Sequence, residues 1–149
     1  MANPNSTAQI AGHPIHPMLI PFPVAFFVST FVCDLVFWKT GYSIWATVAM
    51  WLVGAGVVMA LVAALAGFTD FLGDQRIRDL PASWQHFIGN LVVVLLSAFN
   101  WYRRYEYGDT AVVPTGLILS LVVVGLLLFT GWKGWEMVYR GRVGVSDGL

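Results

Sequence analysis

The residues of this chain whose types and spacing could do chemistry are three histidines and an aspartate. They are His13 and His16 in Gly12-His13-Pro14-Ile15-His16-Pro17, Asp70 in Gly67-Phe68-Thr69-Asp70, and His86 in Gln85-His86. Imidazole is a common ligand to haem iron and to transition-metal ions, and a carboxylate adds a harder donor suited to zinc or iron. In b-type haem ligation His86 pairs with His13 or His16 across the iron, whereas a single metal ion could take His13, His16, Asp70 and His86 together. The sequence does not choose between these, nor against a third use in which the same residues only lock helices together and dock a partner. No set of nucleophile, base and orienting acid is visible, so the chain reads as not an enzyme by itself. Cys33 is the only cysteine, which excludes an intrachain disulfide, a cysteine zinc site and a cysteine-held iron–sulfur cluster.

Helices in a lipid environment must position these residues. Hydrophobic residues make up 58% of the 149 and charged ones 11%, a balance unlike that of a soluble domain. A hydrocarbon core of roughly 30 Å is crossed by about twenty apolar residues in a helix. Residues 18–38, 44–68, 84–102 and 111–132 meet that requirement. Short connections make consecutive helices antiparallel neighbours. The expected fold is all-α, a single domain over residues 1–149 forming an integral membrane four-helix antiparallel bundle. Trp38, Trp45, Trp84, Trp101, Trp132 and Trp135 fall near the span ends, where amphipathic rings favour the headgroup layer.

Four crossings put both termini and the loop 69–83 on one side. That side carries five basic residues, Arg76, Arg78, Lys133, Arg140 and Arg142, against three on the other, Lys39, Arg103 and Arg104. The excess points to cytoplasmic termini in a bacterial inner membrane. The opening residues lack the Lys or Arg of a cleavable signal, so the first helix is expected to act as its own targeting signal, and neither chain end shows a lipidation signature. A net charge of zero argues against a nucleic-acid partner. Polar groups near the midplane are few, Ser97 and Ser120, which disfavours a transporter or channel.

His13 and His16 each precede a proline, which biases both toward extended geometry, pointing the same way roughly 9 Å apart. The first helix is then expected only after them, with Pro21 and Pro23 in its opening turn. The second carries Gly56, Ala60, Ala63 and Gly67 on one stripe, and the fourth has Gly116, Ser120, Gly131 and Gly134 at helical spacing. Such stripes are packing surfaces in lipid, or room for a flat cofactor. His86, Asn90, Ser97 and Trp101 form a polar seam on the third helix. Asp34, near the far end of the first helix, has Lys39, Arg103 or Arg104 as expected partners. Asp70 could instead cap a helix or pair with Arg76 or Arg78. Cys33 reads as a buried small apolar residue.

The run His13-Pro14-Ile15-His16-Pro17-Met18-Leu19-Ile20-Pro21-Phe22-Pro23, followed by Asp34, resembles the opening of a bacterial membrane family, domain of unknown function 2231. Ala66-Gly67-Phe68-Thr69-Asp70, the loop to Gln85-His86, and Gly131-Trp132-Lys133-Gly134-Trp135-Glu136-Met137-Val138-Tyr139 are similar to it in the same order. The resemblance covers the chain from Gly12 onward. It implies a four-helix membrane domain working near respiratory or other redox membrane proteins, since similar domains occur beside cytochrome or Rieske-type modules, and it brings no activity. The tail departs from the pattern. Where relatives show Tyr-x-His-Gly before Val-Gly-Val, this chain has Tyr139-Arg140-Gly141-Arg142-Val143-Gly144-Val145, so a ligand at that histidine is not available here.

Overall fold

Lipid offers no partners to backbone N–H and C=O groups, so a chain this apolar satisfies them within helices. A computed structural model of the chain describes residues 3–145; the two chain ends, in which the sequence shows no lipidation signature, extend outside the described residues. Strands β1 (Gln9–Ile10) and β2 (His13–Pro14) form a small antiparallel hairpin. Its turn runs through Ala11 and Gly12 at φ 49° and 80°, the double left-handed geometry that suits a two-residue hairpin. Among the described residues the α-helices that follow are α1 (Ile15–Leu19), α2 (Pro21–Thr40), α3 (Ser43–Gly73), α4 (Gln75–Arg78), α5 (Pro81–Tyr107) and α6 (Leu117–Tyr139).

Among the described residues, three helical stretches are long and apolar enough to cross a membrane, Ile15–Thr40, Ser43–Gly73 and Pro81–Tyr139. The third contains both α5 and α6 and folds back on itself. Its bend is a 3-10 turn at Gly108–Ala111 and a π-type turn at Val112–Gly116. Gly108 begins the reversal at φ 56°. Val113 leaves helical geometry at φ −117° and ψ 129°, the extended conformation that Pro114 imposes on the residue before it. Beyond the bend, Ser120 and Gly116 of the returning chain lie against Asn100, and Thr130 lies against His86, pairings that require α5 and α6 to run antiparallel.

Two local expectations change. His13 is extended, but His16 lies inside α1 rather than before the first helix. Pro17 is tolerated there because it falls in the first turn, whose N–H groups have no helical acceptor anyway. The helix expected to end at Phe68 runs to Gly73, so Asp70 lies within α3.

Small residues set the approach of the helices. A Cβ added at Gly56 would lie 2.6 Å from the Phe27 ring, and one at Gly54 would lie 2.6 Å from the Trp101 indole. Phe27 with Val53, Val57, Val93 and Val123 forms the buried apolar centre, with contributions from α2, α3, α5 and α6.

Toward the Thr40 end of α2, Asp34 and Arg104 form a two-pronged ion pair. Arg104 Nη1 donates to Oδ1 at 2.8 Å and Nη2 to Oδ2 at 2.7 Å. The Ser120 hydroxyl donates to Oδ2 at 2.7 Å, and Arg104 Nε donates to Asn100 Oδ1 at 3.0 Å. Asn100 Nδ2 in turn donates to Ser120 Oγ at 3.2 Å and to the Gly116 carbonyl at 3.3 Å. The two charged side chains are 0% and 1% exposed. Of the three expected partners, then, Arg104 holds Asp34, while Lys39 lies over the Trp38 ring and Arg103 over Tyr107.

Breaking one half of such a pair strands a buried charge. Asp34→Ala should lower stability by about 3–5 kcal/mol, while joint replacement by Asp34→Leu and Arg104→Met should recover most of the loss. Thermal unfolding in detergent measures both; equal losses would show that the two charges do not act as a unit.

Candidate functional site

At the opposite end from that ion pair, two of the expected histidines meet. His16 reaches from α1 across α3, where its Nδ1 lies 2.7 Å from the Ala63 carbonyl oxygen. His86, near the start of α5, places Nδ1 2.8 Å from the Thr130 carbonyl oxygen of α6. A carbonyl only accepts, so in each ring Nδ1 carries the hydrogen, and the neutral imidazole keeps its lone pair on Nε2. The two ring centres are 6.1 Å apart and the planes nearly perpendicular, at 88°.

Glycines make this arrangement fit. A Cβ at Gly67 would lie 2.8 Å from His16 Nδ1, and one at Gly134 would lie 3.2 Å from His86 Cε1. Gly67 and Ala63 belong to the small stripe of α3, which therefore packs against α1 and α2 as well as holding His16. Gly131, expected on a packing face, has open space around it, so that only Gly134 of the pair serves the site. The polar seam of α5 does turn inward: Asn90 donates to the His86 carbonyl at 2.9 Å, Ser97 is buried, and Trp101 lies across Gly54.

Asp70 and His13 lie at the same end but are placed differently. Asp70 Oδ1 accepts from the amides of Thr7 and Ala8, each at 2.7 Å, and from the Ser6 hydroxyl at 2.9 Å. That carboxylate pins the segment before β1 onto the end of α3. His13 is exposed on the hairpin. Among the described residues, no group of three or more His, Cys, Asp and Glu side chains is disposed to hold a metal ion.

The alternative roles weighed for Asp70 fall to its neighbour. Asp74 caps α4 by accepting from the Arg76 amide and pairs with the Arg76 guanidinium at 2.6 Å. The Arg76 side-chain hydrogen bond holds the Asp74 carboxyl down at about 2. Arg78 donates to the carbonyls of Phe71 and Leu72 at the end of α3. The N-terminal segment itself was not legible as part of this end. Its signal is slight, two hydroxyl residues, Ser6 and Thr7, within a chain end that composition alone reads as a tail. The C-terminal segment closes over it, with Gly144 N donating to the Pro4 carbonyl at 2.9 Å and Asn3 Nδ2 to Val145 O at 3.0 Å.

Residues 12–147 match the model of a family described as Predicted membrane protein (DUF2231). The chain belongs to this family. No curated protein and no solved structure matches it. The DUF2231 match starts at the Gly12 turn and takes in His13, His16, Asp70 and His86, so the whole histidine end lies inside the family's domain. Membership in DUF2231, with the three membrane-length apolar stretches, makes this a multi-pass membrane protein whose first partner is the lipid bilayer. Its exposed side chains agree: Trp51, Leu65 and Leu128 are each about 70% exposed, a cost in water and none in hydrocarbon.

The glycine contacts generate a paired test. Gly67→Leu should displace His16 and lower thermal stability in detergent by about 1–3 kcal/mol, the usual penalty of overpacking. Gly131→Leu, which meets open space, should leave stability unchanged. Similar unfolding temperatures for the two variants would contradict the close approach at Gly67.

Proposed function

We propose that this DUF2231 protein is a single-domain, four-pass antiparallel helical bundle of the bacterial inner membrane with cytoplasmic termini. In this reading it is a redox-associated subunit, working beside respiratory or similar membrane proteins, in which His16 and His86 ligate a transition metal. The observation that carries it is the histidine pair. Each imidazole donates its Nδ1 hydrogen to a backbone carbonyl, the arrangement that orients metal-ligating histidines and leaves Nε2 free to bind. Two imidazoles near one another could share one ion through those nitrogens, each of which would bind it at about 2 Å. The observed separation is 6.1 Å.

The donor set favours one kind of metal. Structural zinc takes four protein ligands, and the described residues supply two imidazoles here. Haem iron is commonly held by histidine, and His16 and His86, from two different helices, would be the residues to hold it here. Bound haem iron would supply one-electron transfer. The chain's own part is to hold both rings in one tautomer and orientation through Ala63 and Thr130, and to surround them with helix rather than water. His13 and Asp70 lie outside the ligand set in this reading.

The charge distribution supports the orientation. Arg104 is withdrawn into its pair with Asp34, so the face opposite the histidines presents Lys39 and Arg103, against Arg76, Arg78, Lys133, Arg140 and Arg142 on the histidine face. Five against two is a firmer bias toward cytoplasmic termini than the bare sequence count.

A second reading has its own observation. Each histidine already bonds to a carbonyl of a neighbouring helix, so the pair could serve solely as a lock that fastens α1 to α3 and α5 to α6. Visible absorption before and after reduction, with elemental analysis of the detergent-purified protein, separates the two. A metal-binding site should give a Soret band or stoichiometric metal that His86→Ala abolishes while the protein remains in the membrane. A lock should give neither, and His86→Ala should then cost about 1–3 kcal/mol, the penalty of a broken buried polar contact. Wild type and variant alike in metal, spectrum and stability would remove both readings.

A further inference from the structure

A groove of about 370 Å³ opens between the start of α5 and the end of α6, lined by Pro81, Ala82 and Gln85 on one side and Lys133, Glu136 and Arg140 on the other. We infer that this groove binds the headgroup of an anionic phospholipid. Its charge is unbalanced in the required sense. Glu136 is shared by two cations, Oε2 with Lys133 Nζ at 3.0 Å and Oε1 with Arg140 Nη1 at 3.0 Å, so one positive charge is left over. The N-terminus of α5, with no acidic residue in its first turn, adds roughly half a charge of the same sign.

The surroundings specify a lipid rather than a free anion. Leu80 and Met137 line the groove beside the charges, giving it the apolar wall that a glycerol backbone and the first acyl carbons would contact. Trp84, Trp132, Trp135 and Tyr139 are exposed on the same ends of α5 and α6, at 47%, 62%, 45% and 70%. Such rings gather at the depth of lipid headgroups. Lys133 is 21% exposed and Arg140 66%, so one cation lies inside the groove and the other reaches out of it. The volume falls within the ordinary range for small-molecule sites. The groove's depth in the bilayer rests on the membrane placement proposed above, whereas the metal reading plays no part in it.

The test uses the full chain in nanodiscs of equal phosphatidylglycerol and phosphatidylcholine, followed by native mass spectrometry of the lipid that stays bound. Phosphatidylglycerol should be retained in preference. Lys133→Gln with Arg140→Gln should reduce that preference by about fivefold for each charge removed. Glu136→Gln should increase it, a gain that misfolding cannot produce, and Lys39→Gln at the opposite face should leave it unchanged. The proposal is overturned by equal retention of the two lipids, by a double variant that retains the wild-type preference, or by inorganic phosphate displacing the bound lipid, which would mark a site for free anions. The His86→Ala variant should keep its lipid preference whatever its metal content, so the failure of one proposal is distinguishable from the failure of the other.

Discussion

A carboxylate and a guanidinium that reach neither water nor lipid fix the geometry at one end of this molecule. Removing two charges from water costs several kcal/mol per ion, and only near-ideal geometry with further hydrogen bonds returns it. Asp34 and Arg104 have both: two parallel N–H···O contacts, a hydroxyl from Ser120 on the carboxylate, and the Asn100 amide on the remaining guanidinium edge. These groups come from α2, α5 and α6, so a one-residue slip of α2 or α5 would leave a charge without its partner, and a slip of α6 would withdraw the Ser120 hydroxyl from the carboxylate. α3 is held differently. It contributes no group to the ion pair and is seated by glycines, with Phe27 against Gly56 and Trp101 against Gly54.

The histidine end solves the opposite problem. It uses two imidazole rings, each fastened by a hydrogen bond to the carbonyl of a neighbouring helix, and small residues that let those rings come close. Among the described residues no carboxylate pairs with either ring there, and the bonds to Ala63 and Thr130 engage Nδ1 rather than Nε2. The charged groups of this face are kept to its margin instead. Asp70 and Asp74 are engaged with the N-terminal segment and Arg76, and Lys133, Glu136 and Arg140 gather at the groove between the start of α5 and the end of α6. A charged lock at one end and a close-packed pair of imidazoles at the other hold the helices together by different means.

Much of this can be read from residue types, because lipid leaves few alternatives. Apolar runs of membrane length become helices, an intramembrane Asp34 must have a cation, and a stripe such as Gly56, Ala60, Ala63 and Gly67 must face a neighbour. What could not be read depends on contacts remote in sequence. Arg104 rather than Arg103 partners Asp34 because the helical phase that puts Asn100 inside also puts Arg104 inside, four residues on. Pro17 biases His16 toward extended backbone, yet it suits the first turn of α1, and local preference alone cannot tell those outcomes apart. Asp70 looked like a member of the histidine cluster because it lies one turn beyond Gly67. Its carboxylate is taken by amides of Thr7 and Ala8, more than sixty residues away. Such a contact has no periodicity to betray it.

The separation of Asp34 from Arg104 also bears on how the molecule is made. The two lie 70 residues apart in the chain. At roughly 5–20 residues per second of synthesis, the carboxylate on α2 waits on the order of ten seconds before its guanidinium emerges from the ribosome. An aspartate held within a membrane-spanning helix costs about 2.5–3.5 kcal/mol on insertion scales. During that interval Asp34 has no Arg104 guanidinium to pair with, and α2 and α3 carry that cost alone. The ion pair can close only once α5 has been made, so the contact that fixes α2 against α5 belongs to the last steps of assembly.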